Sequence, residues 1–260
     1  MKKNAAMGDL DHVREEFARQ ADRFGSAAAT TRSDLTQRIV DAVPAQGIVL
    51  DLACGPGIVS AALAPKARQI VGLDLTPQML ANARRRCTSA GLGNVAFVEG
   101  SAGDLPFAAA AFDAVVTRLS IHHFGEPARV LDEMHRVLRP GGSLVLADVV
   151  SAADREKSAV HNAIEILRDP SHVRMLPAAE LLALVGAAGF AIESQDGWDQ
   201  PRELEEWLAI VDDPRRAAPL RPIRRALAAA GEDAGIGLSL EDSTVRFIHR
   251  WLLIVAKRPA

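Results

Sequence analysis

A glycine-rich turn that follows an acidic residue is the first feature of this sequence that could bind a ligand. The segment VLDLACGPG spans residues 49–57, with Asp51 in an apolar run and Gly55 and Gly57 in the turn that follows. Glycines at such a turn let the backbone approach a ligand, and N–H groups at the start of the next helix provide hydrogen-bond donors. Because tight strand-to-helix turns also need glycine for structural reasons, the turn predicts a ligand site without identifying the ligand.

The spacing of the turn tests whether the ligand is a dinucleotide. Aligned with the pattern G-x-G-x-x-G, Ala53 takes the first glycine position and Ile58 the third, and only Gly55 matches. Asp74 ends the next apolar run at a distance suited to ribose hydroxyls, which any adenosine-containing ligand carries. An NAD-dependent oxidoreductase is therefore disfavoured, but it stays open as an alternative.

Five apolar bursts predict the strands that position this turn. They are GIVLDLA, QIVGLDL, NVAFVEG, FDAVVTRLS and SLVLADVV, and segments of helical periodicity separate them. One such segment has Thr76 and Pro77 at its start and Gly91 at its end, which are typical helix boundaries. Strands that alternate with helices predict a parallel sheet covered on both faces, with ligands outside the carboxyl ends of its strands.

The pattern changes after residue 150. Residues 151–177 predict a helix with an apolar inner face and a solvated polar face. The inner set is Val160, Ile164 and Leu167, and the solvated set is His161, Glu165 and Arg168. FAIESQDGW predicts a sixth strand, and TVRFIHRWLLIVAKR predicts a last strand that pairs with the sixth as an antiparallel edge. His249, in that last strand, has no convergent partner visible in the sequence and is expected to be structural.

Composition limits the class of protein and its partners. The 260 residues carry 30 basic and 33 acidic side chains, without the basic excess typical of nucleic-acid binding. No apolar run approaches the ~20 residues of a membrane span, and the start lacks the apolar core of a secretory signal. The 2 cysteines form no CxxC motif, which favours reduced thiols and disfavours a zinc or disulfide framework. We expect a cytoplasmic protein with no metal, nucleic-acid or membrane partner, and its oligomeric state stays open, a homodimer being one option.

Four motifs in residues 47–148 occur in the order found in class I S-adenosylmethionine-dependent methyltransferases. VLDLACGPG, GLDLTPQML, LPF followed by FD, and VLRPGGSLVLAD resemble most closely the ubiquinone/menaquinone biosynthesis methyltransferase-like members, the methyltransferase type 11 family. The resemblance implies S-adenosyl-L-methionine as cofactor and in-line transfer of its methyl group to a small-molecule acceptor, such as a quinone-like or other natural-product intermediate. A protein that binds this cofactor without catalysis stays open as a second alternative.

The resemblance also implies the fold. We predict an α/β fold, with a Rossmann-like, seven-stranded, mostly parallel sheet, an antiparallel last strand, helices on both faces and a helical cap. A single methyltransferase domain over residues 1–260 is expected. Its parts are N-terminal helices or a lid over 1–44, a cofactor-binding core over 45–150, cap insertions over 151–177 and 200–243, and completion of the sheet by 178–199 and 244–260.

The resemblance assigns the cofactor site residue by residue. Asp51 is expected near the methionine end of the cofactor and Asp74 on the ribose hydroxyls. Ser101 stands where the family commonly places an acid against the adenine amino group. This departure leaves the adenine contact to the Ser101 hydroxyl or to the backbone around Ser101 and Ala102. The predicted cofactor-binding residues are Asp51, Ala53, Gly55, Gly57, Asp74, Leu75, Met79, Ser101, Ala102 and Thr117.

The loop after the fourth strand, TRLSIHHF, is expected between the methionine end of the cofactor and the acceptor. Histidine titrates near neutral pH, so His122 and His123 are the candidate general bases, with His122 preferred as the pocket-facing one. Because HHF recurs in the family with different acceptors, histidines that only shape the pocket are the simpler interpretation. Arg118 either neutralises an anionic acceptor or pairs with an acid. The predicted substrate-binding residues are Arg118, His172, Phe17 and Phe24.

Overall fold

A mixed sheet with helices on both faces forms the body of the molecule. The computed structural model describes residues 2–24, 33–211 and 213–260. The strands are β1 (Ile48–Leu52), β2 (Gln69–Asp74), β3 (Val95–Glu99), β4 (Phe112–Arg118), β5 (Leu138–Val150), β6 (Ala191–Glu203), β7 (Ser239–Glu241) and β8 (Thr244–Lys257). The helices are α1 (Lys2–Phe24), α2 (Ser33–Ala42), α3 (Ile58–Leu63), α4 (Pro77–Ser89), α5 (Pro127–Val137), α6 (Arg155–Arg168), α7 (Ala178–Ala187), α8 (Leu204–Val211) and α9 (Pro214–Ala229). Within these ranges no helix combines the length and the apolar character needed to cross a membrane.

The predicted parallel core of the sheet is confirmed. β1 pairs in parallel with β2 and β4, β2 pairs with β3, and β4 pairs with β5. The strand order is β3-β2-β1-β4-β5-β8-β6, and β8 runs antiparallel to both of its neighbours. The short β7 pairs with β8 and adds an eighth strand to the seven predicted. The order in which successive strands are added to the sheet therefore reverses between β1 and β4, and an open sheet of this kind binds ligands at such a point.

The prediction that the last strand forms an edge of the sheet is wrong. β8 lies between β5 and β6, so β6 is the edge strand. The reason is the hydrophobicity of the two strands, because residues 251–254 of β8 are buried while most of β6 is exposed and polar. An apolar strand is stabilised by cover on both faces and by two neighbours, whereas a polar strand is tolerated at an edge.

The boundaries of α4 follow the predicted signals. The helix begins at Pro77, with Thr76 immediately before it. Gly91, just beyond the last turn, adopts a positive φ of 68°. Glycine takes this left-handed conformation at little cost, so it ends the helix where the sequence predicts. α4 thereby packs Met79 and Leu80 against the sheet, beside the carboxyl end of β2.

The prediction for the two faces of α6 is wrong. Ile164 is buried as expected, but Val160 and Leu167 are 38% and 51% exposed. The residues expected in solvent, His161 and Glu165, are only 1% and 2% exposed. α9 packs on that polar face, and β8 brings an imidazole to it from far along the chain. Periodicity within one helix carries no information about such distant partners, so it favours the apolar face as the inner one.

Candidate functional site

The carboxyl ends of β1, β2 and β4 open onto a cavity of about 440 Å³. This volume lies in the range typical of small-molecule sites. Most of the residues predicted to bind a cofactor or substrate line it together. They are Phe17, Phe24, Asp51, Ala53, Gly55, Asp74, Leu75, Met79, Ser101, Ala102, Arg118 and His123. Four predicted residues lie outside this lining, namely Gly57, Thr117, His122 and His172.

The two glycines of the turn have different surroundings. A Cβ added to Gly55 would meet nothing within 4 Å, because this residue faces the open cavity. A Cβ on Gly57 would lie 2.9 Å from the Cβ of Ala83 in α4. Both residues have positive φ, of 52° and 73°. The structure thus places Gly55 against the cavity and Gly57 against a neighbouring helix.

The Asp74 carboxylate is fixed at the end of β2 by two backbone donors. Its Oδ2 accepts a hydrogen bond from the N–H of Gly55 at 2.8 Å, and its Oδ1 accepts one from Thr76 at 2.9 Å. Burial raises the pKa of this carboxyl, and these N–H groups oppose the rise. A carboxylate has about four lone-pair sites, so acceptor capacity remains for ribose hydroxyls.

Asp51 and Arg118 bring a buried carboxyl and a half-buried guanidinium to the same cavity. Asp51 is 2% exposed, and its Oδ2 accepts a hydrogen bond of 2.5 Å from the hydroxyl of Ser60. Burial raises the pKa of Asp51 to about 6, although Ser60 and Arg118 oppose this. Burial also lowers the pKa of Arg118 to about 10, against the attraction of Asp51. Sequence reasoning missed Ser60, since a serine inside an apolar helix carries no signal until the strand beside it is known.

Ser101 and Thr117 differ in their distance from the cavity. Ser101 lines it, and its Oγ accepts a hydrogen bond from the N–H of Gly103 at 3.3 Å. Thr117 is 1% exposed, and its hydroxyl donates to the carbonyl of Leu52 at 2.9 Å. Thr117 therefore joins the ends of β4 and β1 from behind the cavity wall.

His122 is oriented by a buried carboxylate that sequence reasoning missed. Its Nδ1 lies 2.6 Å from Oδ1 of Asp148, and the Asp148 Oδ2 also accepts the N–H of Ile121 at 2.7 Å. Because a carboxylate only accepts, the Nδ1 of His122 carries a hydrogen, and in the neutral ring Nε2 keeps its lone pair. Burial lowers the pKa of His122, but the charge and hydrogen bond of Asp148, together with the charges of Glu165 and Asp169, outweigh burial and leave this pKa raised. A signal existed, because Asp148 stands near the carboxyl end of the predicted fifth strand.

His123 has the opposite electrostatic surroundings. Its Nδ1 lies 2.9 Å from the carbonyl oxygen of Ser171, so this nitrogen donates. Burial and the neighbouring His122 together lower its pKa to about 4, so the ring is neutral near pH 7. The ring packs edge-on against Phe17, with centroids 4.8 Å apart. Of the two histidines, His122 therefore has the higher pKa.

A second cavity of about 70 Å³ adjoins the first. The two share Phe24, Leu119 and His123 in their walls. His122 and His172 line only the second cavity, together with the cap residues Arg168, Trp207 and His249. Nε2 of His172 lies 3.0 Å from Oδ1 of Asn162, and burial lowers the pKa of His172 to about 3. His122 thus lies next to the wall shared by a large cavity and a small polar one.

Comparison with known proteins agrees with this arrangement. The model of the family described as "Methyltransferase domain" matches residues 50–146. The chain is 31% identical over 240 residues to the demethylmenaquinone methyltransferase of Clavibacter sepedonicus, covering 87% of this chain and 93% of that protein. It is 32% identical over 160 residues to the uncharacterized methyltransferase YcgJ of Bacillus subtilis, a match that spans 62% of this chain and 63% of YcgJ.

Solved structures show the same fold. The crystal structure of YcgJ from Bacillus subtilis superposes with a TM-score of 0.82 at 25% identity. The match covers 88% of this chain and 100% of the YcgJ chain. Phosphoethanolamine N-methyltransferase 2 of Haemonchus contortus, in complex with S-adenosyl-L-methionine, superposes with a TM-score of 0.64 at 17% identity. That match covers 94% of this chain and 57% of the other, and at this identity it shows the fold alone.

Proposed function

This chain belongs to the class I S-adenosylmethionine-dependent methyltransferases of the menaquinone-methyltransferase-like type, and from that membership we propose that it methylates a small-molecule acceptor by in-line displacement. S-Adenosyl-L-methionine is its cofactor. The observation that carries the proposal is the position of His122, which lies next to the wall shared by the two cavities with Nε2 available to accept a proton. We place the cofactor in the large cavity, and the reacting end of the acceptor at the wall that this cavity shares with the small polar one.

The residues of the large cavity fit this cofactor. When bound, it supplies a methyl group activated by a positively charged sulfur. Gly55 allows close approach of the backbone, Asp74 accepts from the ribose hydroxyls, and Leu75 and Met79 provide an apolar wall for the adenosine. Asp51 and Arg118 line the same cavity, where we place the charged methionine end.

Proton removal from the acceptor is the task that we assign to His122. As the acceptor is methylated, Nε2 of His122 takes its proton, and the ring becomes a cation. The Asp148 carboxylate, 2.6 Å from Nδ1, stabilises that cation and holds the ring in one tautomer. His123 stays neutral beside it and shapes the pocket.

Exclusion of water and alignment of the acceptor provide the rest of the catalysis. Phe17 and Phe24 of α1 cover the cavity, and the two rings pack edge-on with centroids 6.4 Å apart. We propose that the N-terminal segment acts as a lid and that the cap segments 151–177 and 200–243 select the acceptor. Alignment of reacting groups in a closed site lowers a barrier by several kcal/mol.

We propose that the acceptor is a small molecule and that the protein acts in the cytoplasm. The chain has no overall basic excess to attract nucleic acid, and Cys54 and Cys87 are buried free thiols, as in a reducing compartment. The demethylmenaquinone methyltransferase relative supports an acceptor of the quinone-like class.

Calorimetry and turnover together test this function. We expect S-adenosylmethionine and S-adenosylhomocysteine to bind and NAD to give no heat. We then expect formation of S-adenosylhomocysteine with protic quinol-like acceptors, and loss of that turnover in His122→Ala. Binding of NAD alone would favour the oxidoreductase alternative, and tight cofactor binding with no acceptor consumed across the panel would favour a non-catalytic binding protein.

A further inference from the structure

Three buried side chains converge where α6 of the cap meets β8 of the sheet, and we call them the cap cluster: His161, Glu165 and His249. They are 1%, 2% and 8% exposed. Oε1 of Glu165 lies 3.4 Å from Nε2 of His161 and 3.6 Å from Nε2 of His249. In the described part of the chain none of these three atoms has a hydrogen-bond partner. Buried polar atoms are nearly always partnered, so this convergence requires an explanation.

The two separations measured from Oε1 of Glu165 match those between ligand atoms around a metal ion. Zinc binds histidine nitrogen and carboxylate oxygen at about 2.0–2.2 Å, which places tetrahedral ligands about 3.3–3.6 Å apart. One ligand atom from each residue of the cap cluster lies within 4.8 Å of the others. Two imidazoles and one carboxylate are a donor set that suits divalent first-row metals.

The outer partners of Glu165 also suit metal binding. Arg168 contacts the other carboxylate oxygen, Oε2, with Nε at 3.2 Å and Nη2 at 3.1 Å. Such outer hydrogen bonds orient a ligating carboxylate and leave Oε1 for the ion.

Arg224 supplies the competing explanation. Its Nη2 lies 3.9 Å from Oε1 of Glu165, beyond hydrogen-bond distance, and its guanidinium lies over the rings of Trp207 and Phe247 at 4.2 and 4.3 Å. Its charge repels a cation and attracts the carboxylate, so the cluster as a plain ion pair is the alternative. That alternative leaves Nε2 of His161 and Nε2 of His249 without any partner among the described residues.

We propose that the cap cluster binds a divalent first-row transition metal of the zinc class through His161, Glu165 and His249. Three protein ligands leave one position of a tetrahedral ion for an oxygen ligand. Glu165 and His249 also line the second cavity, so that ligand is a water or an oxygen of the molecule bound there. The site stands independently of methyl transfer, and it changes the expectation from sequence that the protein holds no metal.

Zinc titration of chelator-treated protein tests the proposal. By calorimetry with ZnCl₂ we expect one equivalent to bind, and we expect affinity to fall about tenfold or more in His249→Ala and in Glu165→Gln. His135→Ala is the matched control, because His135 lies on α5 against Phe190 and outside the cluster. It is expected to bind zinc as the unmodified protein does.

Two further variants keep the test decisive. If Glu165→Gln fails to fold, His249→Gln serves in its place, because it leaves the ion pairs of Glu165 intact. Arg224→Met removes the repelling charge and fills the space between the two rings, so we expect zinc to bind more tightly. Less than 0.1 equivalent of zinc, equal affinity in the ligand variants and the control, or no gain in Arg224→Met would overturn the proposal in favour of the plain ion pair.

Discussion

The buried carboxylates at the strand ends and the buried carboxylate of the cap, Glu165, differ in their hydrogen bonding. We call Asp51, Asp74 and Asp148 the strand-end region, and each of these carboxylates accepts hydrogen bonds from a hydroxyl or backbone N–H nearby. In the cap cluster, Oε1 of Glu165 and Nε2 of His249 have no such partner among the described residues. Nearby backbone N–H groups and one hydroxyl therefore hold the carboxylates of the strand-end region in place. The cap cluster depends instead on the charges of Arg168 and Arg224 and on the metal ion that we propose.

Removal of the proposed base gives the largest expected effect. We expect His122→Ala to lower turnover by about 10²–10⁴-fold, the usual contribution of a general base. The dissociation constant of S-adenosylmethionine should not change, because His122 lies outside the lining of the cofactor cavity. Steady-state kinetics and calorimetry measure the two quantities, with His135→Ala as control. An equal loss of cofactor affinity would remove His122 from the role of base.

Loss of the central carboxylate of the cap cluster comes next and tests its dependence on charge. Glu165→Ala leaves the charges of Arg168 and Arg224 buried without their acid. We expect the free energy of unfolding to fall by about 3–5 kcal/mol, as for other buried pairs broken on one side. The matched control is Glu180→Ala, whose partner Arg174 is exposed and whose loss should cost less than about 1 kcal/mol. Equal losses in denaturant unfolding would show that the cap cluster is no more critical than the surface.

Removal of a strand-end carboxylate should affect the ligand more than the fold. Asp74→Ala removes a charged acceptor for the ribose, and we expect cofactor binding to weaken by about 1.5–3 kcal/mol. Asp113→Asn is the control, since Asp113 lies at the start of β4 and bonds to Arg139 and the N–H of Ile48, away from the cavity. Unchanged affinity in Asp74→Ala, measured by calorimetry, would remove Asp74 from the ribose site.

The same comparison explains how much could be predicted from the sequence. The strands, their parallel order and the lining around Asp51 and Asp74 follow from short segments in which strand, turn and helix are adjacent in the chain. The cap cluster joins residues of α6 and β8, and its partner Arg224 comes from α9. Such contacts depend on tertiary packing that no local period records, so His161 and Glu165 look like a solvated face. Asp148 was missed for a related reason. It lies near the end of β5, whereas its partner His122 follows β4, so the two residues meet only when these strands pair.

The two glycines of the turn provide a smaller effect within the strand-end region. Gly57→Ala forces a Cβ against Ala83 at a positive φ, and we expect a loss of about 1–3 kcal/mol in the free energy of unfolding. Gly55→Ala has a similar φ but open space at its Cβ, so its stability loss should be smaller and its loss of cofactor affinity larger. Thermal melts and calorimetry of both variants check this. Equal effects on stability and on affinity would contradict the assignment of separate roles.

A shift in the pH profile of kcat/KM is the smallest expected effect. It tests whether Asp148 of the strand-end region raises the pKa of the proposed base, His122. His122 must be neutral to accept a proton, so kcat/KM should rise with pH through the pKa of this residue. Asp148 raises that pKa against the effect of burial, so the midpoint should lie above the ordinary histidine value of about 6.5. Asp148→Asn removes the negative charge, and because the cationic ring then loses its stabilisation, the midpoint should move to lower pH while the plateau rate falls. A midpoint that stays in place or moves upward would mean that Asp148 positions the loop without tuning the base.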